Sequence, residues 1–259
     1  MPEGDTIHRI AVSLAPRLVG KVLERVTTQG LARQVAGATV TAVSAHGKHL
    51  VIEVETGAYL RMHLGMYGRQ RSYPRREGLA MLAKMSPGRV SLALVTAEDV
   101  HLWIGARTVE ISDRRAPRHG QAISALGPDV LADDFDSRLV ASRAALHGAR
   151  IIADVLLDQR IAAGIGNIYK CEALFLCGID PRTRTEQLAL GQLEALYTSA
   201  RELMTANLGP GSREPYFVYS RTGQPCRRCS GAISCYQLGD PPRWTWSCAD
   251  CQPQCGVSS

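Results

Sequence analysis

Residues 225–251 read PCRRCSGAISCYQLGDPPRWTWSCADC, and the four cysteines at the two ends of this stretch, Cys226, Cys229, Cys248 and Cys251, decide how the chain finishes. Each pair is spaced C-x2-C, with eighteen residues between the pairs. A C-x2-C step lets a tight knuckle aim two thiolates at one point, and two knuckles complete a tetrahedral site of the zinc-ribbon kind. The runs GAISCY and RWTWSC look like the strands of a hairpin with the knuckles at its base. The expectation is a C-terminal β-hairpin finger that holds one structural Zn2+, with no organic cofactor. Cys235 and Cys255 have no partner at knuckle spacing and read as bystanders. Cys171 and Cys177 fall in an apolar helical run, where a thiol packs as a small hydrophobe.

Working outward, the charge is the next clue. The chain has 259 residues and a net charge of +6. Between Arg61 and Arg89 seven basic residues (Arg61, Arg69, Arg71, Arg75, Arg76, Lys84, Arg89) face one acidic residue, Glu77, so this segment carries an excess equal to the whole net charge. Taken alone it reads as a solvated basic loop. Beside a finger it points to a polyanionic partner such as DNA. Glu3 and Asp5 stand where a secretory signal carries positive charge, and no apolar run of about 18 residues occurs, which predicts a cytosolic protein that keeps off membranes, near the nucleoid in a bacterium. Cysteines in such a compartment bind metal or stay reduced.

The hydrophobic period divides the rest. Ile7, Ile10, Ala11, Leu14 and Leu18 recur at helical spacing, with Asp5 or Thr6 as the expected N-cap and an end before Gly20. From Lys21 to about Val109 short β runs follow: KVLERVTT, ATVTAVSAHG, KHLVIEVET, AYLRMHLGM, RVSLALVT and VHLWIG. This pattern predicts an antiparallel β-sandwich. From LGPDVL (126–131) the period becomes helical, with helices predicted at about 136–147, 150–158, 168–177 and 186–206. The fold class is therefore multidomain α+β: a helix plus β-sandwich domain over 1–125, a helical domain over 126–210 and the finger over 211–259. At this length a monomer suffices.

Two features carry candidate chemistry. GIGN (Gly164–Asn167) lies between two helices, where a tight turn with Asn167 as a cap exposes backbone N–H groups to an anion; Arg160 stands just upstream. The opening MPEGDT is the second. Met1 is removable because proline is small, and removal leaves Pro2 with a free secondary amine. Such an amine condenses with an aldehyde-like carbon to an iminium, as a lysine does in a Schiff base. Its basicity is that of an α-amine, near 8 instead of the ~10.4 of lysine. Glu3 beside it can shuttle protons.

PEGDTIHRIAVSL, GKHLVIEV, HLGMYG, LGPDVL, LLDQRIAAGIGNIYKCEALF and VYSRTGQPCRRC…RWTWSCADC together resemble the formamidopyrimidine-DNA glycosylase/endonuclease VIII family, in its order and over nearly the whole chain. The resemblance implies a bifunctional DNA glycosylase and abasic-site lyase acting on double-stranded DNA with an oxidised base or abasic site, through a helix–two-turn–helix element and a zinc finger. It implies Pro2 as Schiff-base nucleophile, Glu3 as proton donor at the sugar, Lys48 as a catalytic lysine touching the phosphate beside the lesion, and Arg160 and Asn167 as phosphate clamps. Arg243 matches the finger arginine linked to the second elimination. Met66 and Tyr67 sit where the family keeps the wedge that fills the vacated base stack, with core packing as the equal alternative for Met66; His63 reads as structural. Thr6 departs from the glutamate of many members. The Asp-Pro-Arg-Arg-Phe element of the formamidopyrimidine branch is absent, IGARTVEI stands near its place, and Arg107 carries no assignment.

The opening and the short segment LGPGSREPYFVYSRTGQP before Cys226 place the chain on the endonuclease VIII side. About eight residues span too little at roughly 3.3–3.6 Å each to lid a flipped purine. Excision of oxidised pyrimidines with β,δ-elimination is the expectation. The alternatives are a glycosylase specific for 8-oxoguanine and formamidopyrimidine, and a noncatalytic zinc-ribbon DNA-binding protein, which would have no use for Pro2–Glu3.

Overall fold

The computed structural model describes residues 2–28, 35–113, 121–209 and 215–254. The chain forms two compact units, Met1–Ser124 and Ala125–Ser259.

In the first unit, helix α1 (Gly4–Leu18) turns Ile7, Ala11, Leu14 and Leu18 into the core, as their spacing predicts. Its N-cap is Glu3, two or three residues earlier than expected, and Asp5 is buried inside the first turn. Eight strands follow: β1 (Arg25–Thr28), β2 (Val40–His46), β3 (His49–Val54), β4 (Ala58–His63), β5 (Arg69–Pro74), β6 (Val90–Val95), β7 (Asp99–Ile104) and β8 (Thr108–Asp113). They make two four-stranded sheets, ordered β1-β6-β7-β5 and β2-β3-β4-β8. Every pairing is antiparallel. Leu50, Ile52, Leu60 and Met62 of one sheet meet Leu92, Leu94 and Trp103 of the other in one apolar core, which α1 joins. Arg17 of α1 clamps Asp99 with two hydrogen bonds of 2.9 and 2.6 Å.

The basic stretch is not a loop. Arg69–Pro74 is strand β5, and Arg75–Lys84 is helix α2. Helix α2 lays Leu79 and Leu82 on the outer face of the first sheet, against Val100 and Leu102. Its central Gly78 reads as a breaker, yet the helix needs it: a Cβ there would stand 2.4 Å from Val100 Cβ. Arg61 is buried and paired with Glu110 across β4 and β8, and Arg75 pairs with Glu24 at the surface, so two of the seven cations are already partnered.

A short helix α3 (Gln121–Ser124) precedes the second unit, which contains α4 (Ser137–Ala145), α5 (Ile152–Leu157), α6 (Asn167–Leu176) and α7 (Leu190–Ala206). The four predicted helices are all present, with α7 starting four residues late because Thr185–Gln187 is a 3-10 turn. LGPD is stitched to the GIGN turn: Gly127 N–H donates to Gln159 O (2.8 Å) and Ala163 N–H to Pro128 O (2.8 Å). The hairpin β9 (Ile233–Leu238) and β10 (Arg243–Cys248) shares an apolar core with α6 through Cys171, Phe175, Val218, Ile233 and Cys248. Buried Glu172 accepts the N–H groups of Phe217, Val218 and Tyr219 at 2.7–2.9 Å and so fixes the chain entering the finger. Cys171 and Cys177 behave as packing thiols, buried and half-buried. Cys255 and residues 210–214 lie outside the described residues.

Candidate active site

In the first unit the chemistry begins at the start of α1. Pro2 is half-buried and Glu3 fully buried. The Glu3 carbonyl accepts the N–H groups of Thr6 (3.0 Å) and Ile7 (3.2 Å), which sets the backbone entering the helix. The positive end of α1 therefore lies beside Pro2.

Lys48 occupies the tight turn between β2 and β3. Register puts His46 opposite His49 and His49 opposite His63, so three histidines gather next to it. Arg61 donates to His49 Nδ1 at 2.9 Å, and the His49 and His63 rings lie 5.0 Å apart. Burial first, then the charge neighbours His63, Arg61, His46 and Lys48, push His49 down to about 3. His63 is lowered by burial, then by Lys48, Arg107 and Arg61, and its Nδ1 accepts the Gly65 N–H at 3.1 Å. Both imidazoles are thus neutral at neutral pH. The cluster keeps the positive charge on Lys48, Arg61 and Arg107, with Glu110 on Arg61. Such a neighbourhood favours an anion. Sequence reading passed over His46 and His49, although SAHGKH brackets Lys48 with them.

The residues after β4 present the next pair. Met66 is 53% and Tyr67 83% exposed, so the alternation of Leu60, Met62 and Leu64 stops at Leu64 and core packing does not account for Met66. The turn is closed by Gly68 N–H donating to Leu64 O at 3.1 Å, and a Cβ at Gly68 would lie 2.1 Å from that carbonyl.

In the second unit, Asn167 does not cap α6; Gly166 holds the N-cap position. The Asn167 amide donates instead to Trp244 O in β10 at 2.8 Å. Lys170, one turn along α6 and 1% exposed, donates to Asn167 Oδ1 (2.8 Å) and to Thr245 Oγ1 (2.7 Å). This buried ammonium ties the GIGN turn to the strand that begins at Arg243. Sequence reading missed it; the one available signal was a lysine inside the apolar run NIYKCEALF, three residues after Asn167. Gln159 steadies the turn itself, donating to Leu157 O and Ile165 O and accepting the Gly164 N–H. Arg160 is held by Asp158 through contacts of 2.9 and 2.7 Å, and the pairing holds that carboxyl well below its usual range. Arg243 is exposed at the first position of β10.

Cys226, Cys229, Cys248 and Cys251 bring their four sulfurs within 4.8 Å of one another. The Cys226–Cys251 and Cys229–Cys248 separations are 3.8 and 3.4 Å. Zn–S bonds of about 2.3 Å place tetrahedral sulfurs about 3.8 Å apart, so the cluster fits that ion. Arg228 N–H donates to Cys226 Sγ at 3.4 Å, a backbone hydrogen bond of the kind that steadies a thiolate in a knuckle. Cys235 lies outside the cluster.

Comparison with known proteins agrees with this geometry. The profile of the formamidopyrimidine-DNA glycosylase N-terminal domain matches residues 1–115, and that of the formamidopyrimidine-DNA glycosylase H2TH domain residues 126–214. An endonuclease 8 2 from Mycobacterium bovis is 34% identical over 266 residues, covering 97% of this chain and 100% of that protein. A DNA-(apurinic or apyrimidinic site) lyase from Mycolicibacterium smegmatis is 32% identical over 267 residues, covering 97% and 99%. Among solved structures, a Lactococcus lactis formamidopyrimidine-DNA glycosylase bound to DNA with an abasic site superposes with a TM-score of 0.84 at 25% identity, covering 98% of this chain and 100% of that one. None of the described helices is long and apolar enough to cross a membrane.

Proposed function

Because the chain belongs to the formamidopyrimidine-DNA glycosylase family, whose members are DNA glycosylases and abasic-site lyases, we propose that it excises oxidised pyrimidines from duplex DNA and then cuts the strand by β,δ-elimination. The observation that carries the reading is Pro2 half-buried beside a fully buried Glu3 at the positive end of α1. With Met1 gone, the Pro2 amine attacks C1′ of the flipped nucleotide. The N-glycosidic bond breaks with its electron pair going to the base, which leaves protonated. The sugar ring opens as O4′ takes a proton from Glu3, and the iminium on Pro2 remains. Loss of a C2′ proton then expels the 3′ phosphate, a second elimination expels the 5′ phosphate, and water releases Pro2.

The other residues serve this sequence. A base inside a duplex is out of reach, so the enzyme must extrude it. Met66 and Tyr67, exposed on the closed turn, fill the gap it leaves. Lys48, among neutral histidines and arginines, holds the phosphate beside the lesion. Asn167 and Arg243 grip the backbone, with Lys170 setting the Asn167 amide; Arg160 adds to that grip with a charge partly met by Asp158. The four cysteines would hold Zn2+, which would cross-link the two knuckles and, as a four-thiolate site, would support folding and not bond-making. Identity of 32–34% to an abasic-site lyase and an endonuclease 8 2 over nearly the full chain supports the pyrimidine side, as does the short segment before Cys226. Single-turnover cleavage of duplexes with thymine glycol or 8-oxoguanine tests it. Faster cutting of thymine glycol is expected, and faster cutting of 8-oxoguanine opposite cytosine overturns the assignment.

A further inference from the structure

The outer face of the first sheet is divided in two. Helix α2 covers one half, packing on Val100 and Leu102. The other half is a cleft of about 500 Å³ lined by Tyr67, Arg69, Arg71, Tyr73, Arg89 and Ile104. Strand alternation makes this a built arrangement: Arg69, Arg71 and Tyr73 share one side of β5. Their cross-strand partners Ile104, Leu102 and Val100 share the same side of β7. Arg89 enters from the start of β6, next to Val90, which pairs with Ile104. Among the described residues no carboxylate lies within 4 Å of any of these three guanidinium groups, whereas Arg61 and Arg75 of the same basic stretch are paired. Three cations in one concave site repel one another, and an anion removes that cost. A planar guanidinium suits phosphate oxygens in particular.

Topology says which phosphates. His63 ends β4 of the sheet β2-β3-β4-β8, Lys48 lies in that sheet's β2–β3 turn and Arg107 directly precedes β8, whereas the arginine cleft belongs to β1-β6-β7-β5. The chain crosses from one sheet to the other at Leu64–Gly68, the turn that carries Met66 and Tyr67, and Tyr67 itself lines the cleft. A side chain wedged into a duplex has one strand on either side of it. We propose that the Arg69–Arg71–Arg89 cleft binds the phosphodiester backbone of the undamaged strand, opposite the strand held at Lys48. The proposal rests on the wedge reading of Met66–Tyr67. Contacts of this kind carry no base information and set register.

The test couples protein and DNA changes. The full-length zinc-loaded Arg69→Gln/Arg71→Gln variant and the parent protein are titrated with a lesion duplex over a range of salt. Neutral methylphosphonates then replace the central phosphates of one strand at a time. The salt slope of the variant should fall by about two on the unmodified duplex. Parent and variant should bind alike once the undamaged strand is neutralised, and should still differ when the lesion strand is. An unchanged slope overturns the proposal, as does loss of the difference with the lesion strand neutralised. Inorganic phosphate provides a separate arm: thermal stabilisation by phosphate that the variant lacks, with an unchanged DNA slope, assigns the cleft to a free anion and likewise overturns it. Borohydride trapping on an abasic-site duplex is run in parallel. Its absence in the parent protein counts against the lyase reading and leaves the coupling result to stand on its own.

Discussion

Lys170 shows how a single buried charge can organise a site without touching substrate. It donates to Asn167 and Thr245 at once, so Lys170→Met removes a charge-assisted hydrogen bond from each, at a cost of about 1–3 kcal/mol apiece, while Asn167 keeps Trp244 O and Thr245 keeps Arg243 O. Its effect on DNA affinity should overlap with that of Asn167→Ala, giving a double variant weaker than the parent by less than the sum of the two. Strict additivity in that cycle would show that Lys170 does not act through Asn167. The histidines give a second prediction. His101, with Ser72 at 2.8 Å from its Nδ1 and no partner for Nε2 among the described residues, is pushed down to about 4 by burial, and His49 to about 3. Unfolded histidine takes up its proton near 6.5. Below that value the unfolded chain binds protons that the folded one refuses, so stability falls as pH drops from about 6.5 toward these lowered values. Denaturation between pH 7 and 4 should show the loss, with a shallower dependence in His101→Gln; an identical slope in that variant would contradict the assignment. None of this was legible in the sequence. A lone lysine or histidine in an apolar run looks the same whether it is a stray or a linchpin until register supplies its partners, whereas Pro2, Glu3 and the cysteines announce themselves by position and spacing.

At the scale of elements, periodicity was a good guide where one face is apolar and a poor one where charge overlies it. Helix α1 and the helices of the second unit could be read because their apolar residues recur at 3.6. Strand β5 and helix α2 could not: RQRSYPRREGLAMLAK shows mostly cations, and Gly78 argues against a helix that exists because it must approach Val100 closely. Strand β8, TVEISD, alternates polar and apolar residues too weakly to stand out, although Gly105 marks the turn before it. The Met66–Tyr67 turn makes its own prediction. Tyr67→Ala should slow release of a damaged base from duplex DNA while affecting strand cutting at a preformed abasic site much less, because the second substrate has no base to extrude. Equal losses on both substrates would remove the wedge from the account. The finger supplies another. Cys248→Ser should lose the one bound zinc and weaken DNA cleavage with the β-sandwich spectrum retained, since the hairpin shares its core with α6 and not with the sandwich. Unchanged metal content in that variant would exclude the four-cysteine site.

For the molecule as a whole, the net charge of +6 is less informative than its distribution. Two cations of the basic stretch are paired with Glu110 and Glu24, while Arg69, Arg71 and Arg89 line the cleft. Overall DNA affinity should therefore drop steeply with salt, by about one unit of slope for each phosphate-contacting cation, and Arg243→Ala should weaken damaged and undamaged DNA alike. A change in lesion preference with the slope intact would contradict a backbone role for Arg243. The combination of an N-terminal proline, a helical turn and a zinc finger was readable in order along the chain, and membership of the family follows from matches over residues 1–115 and 126–214. On the proposed mechanism a free amine at Pro2 would tie them into one reaction, and one measurement addresses it directly. Borohydride trapping on abasic-site DNA is run with mature protein and with protein whose N-terminus is blocked by a retained Met1 or an acetyl group, and the cross-linked peptide is mapped by mass spectrometry. The account predicts a covalent complex at Pro2 in the mature protein and none in the blocked form; equal trapping by the blocked protein would contradict it.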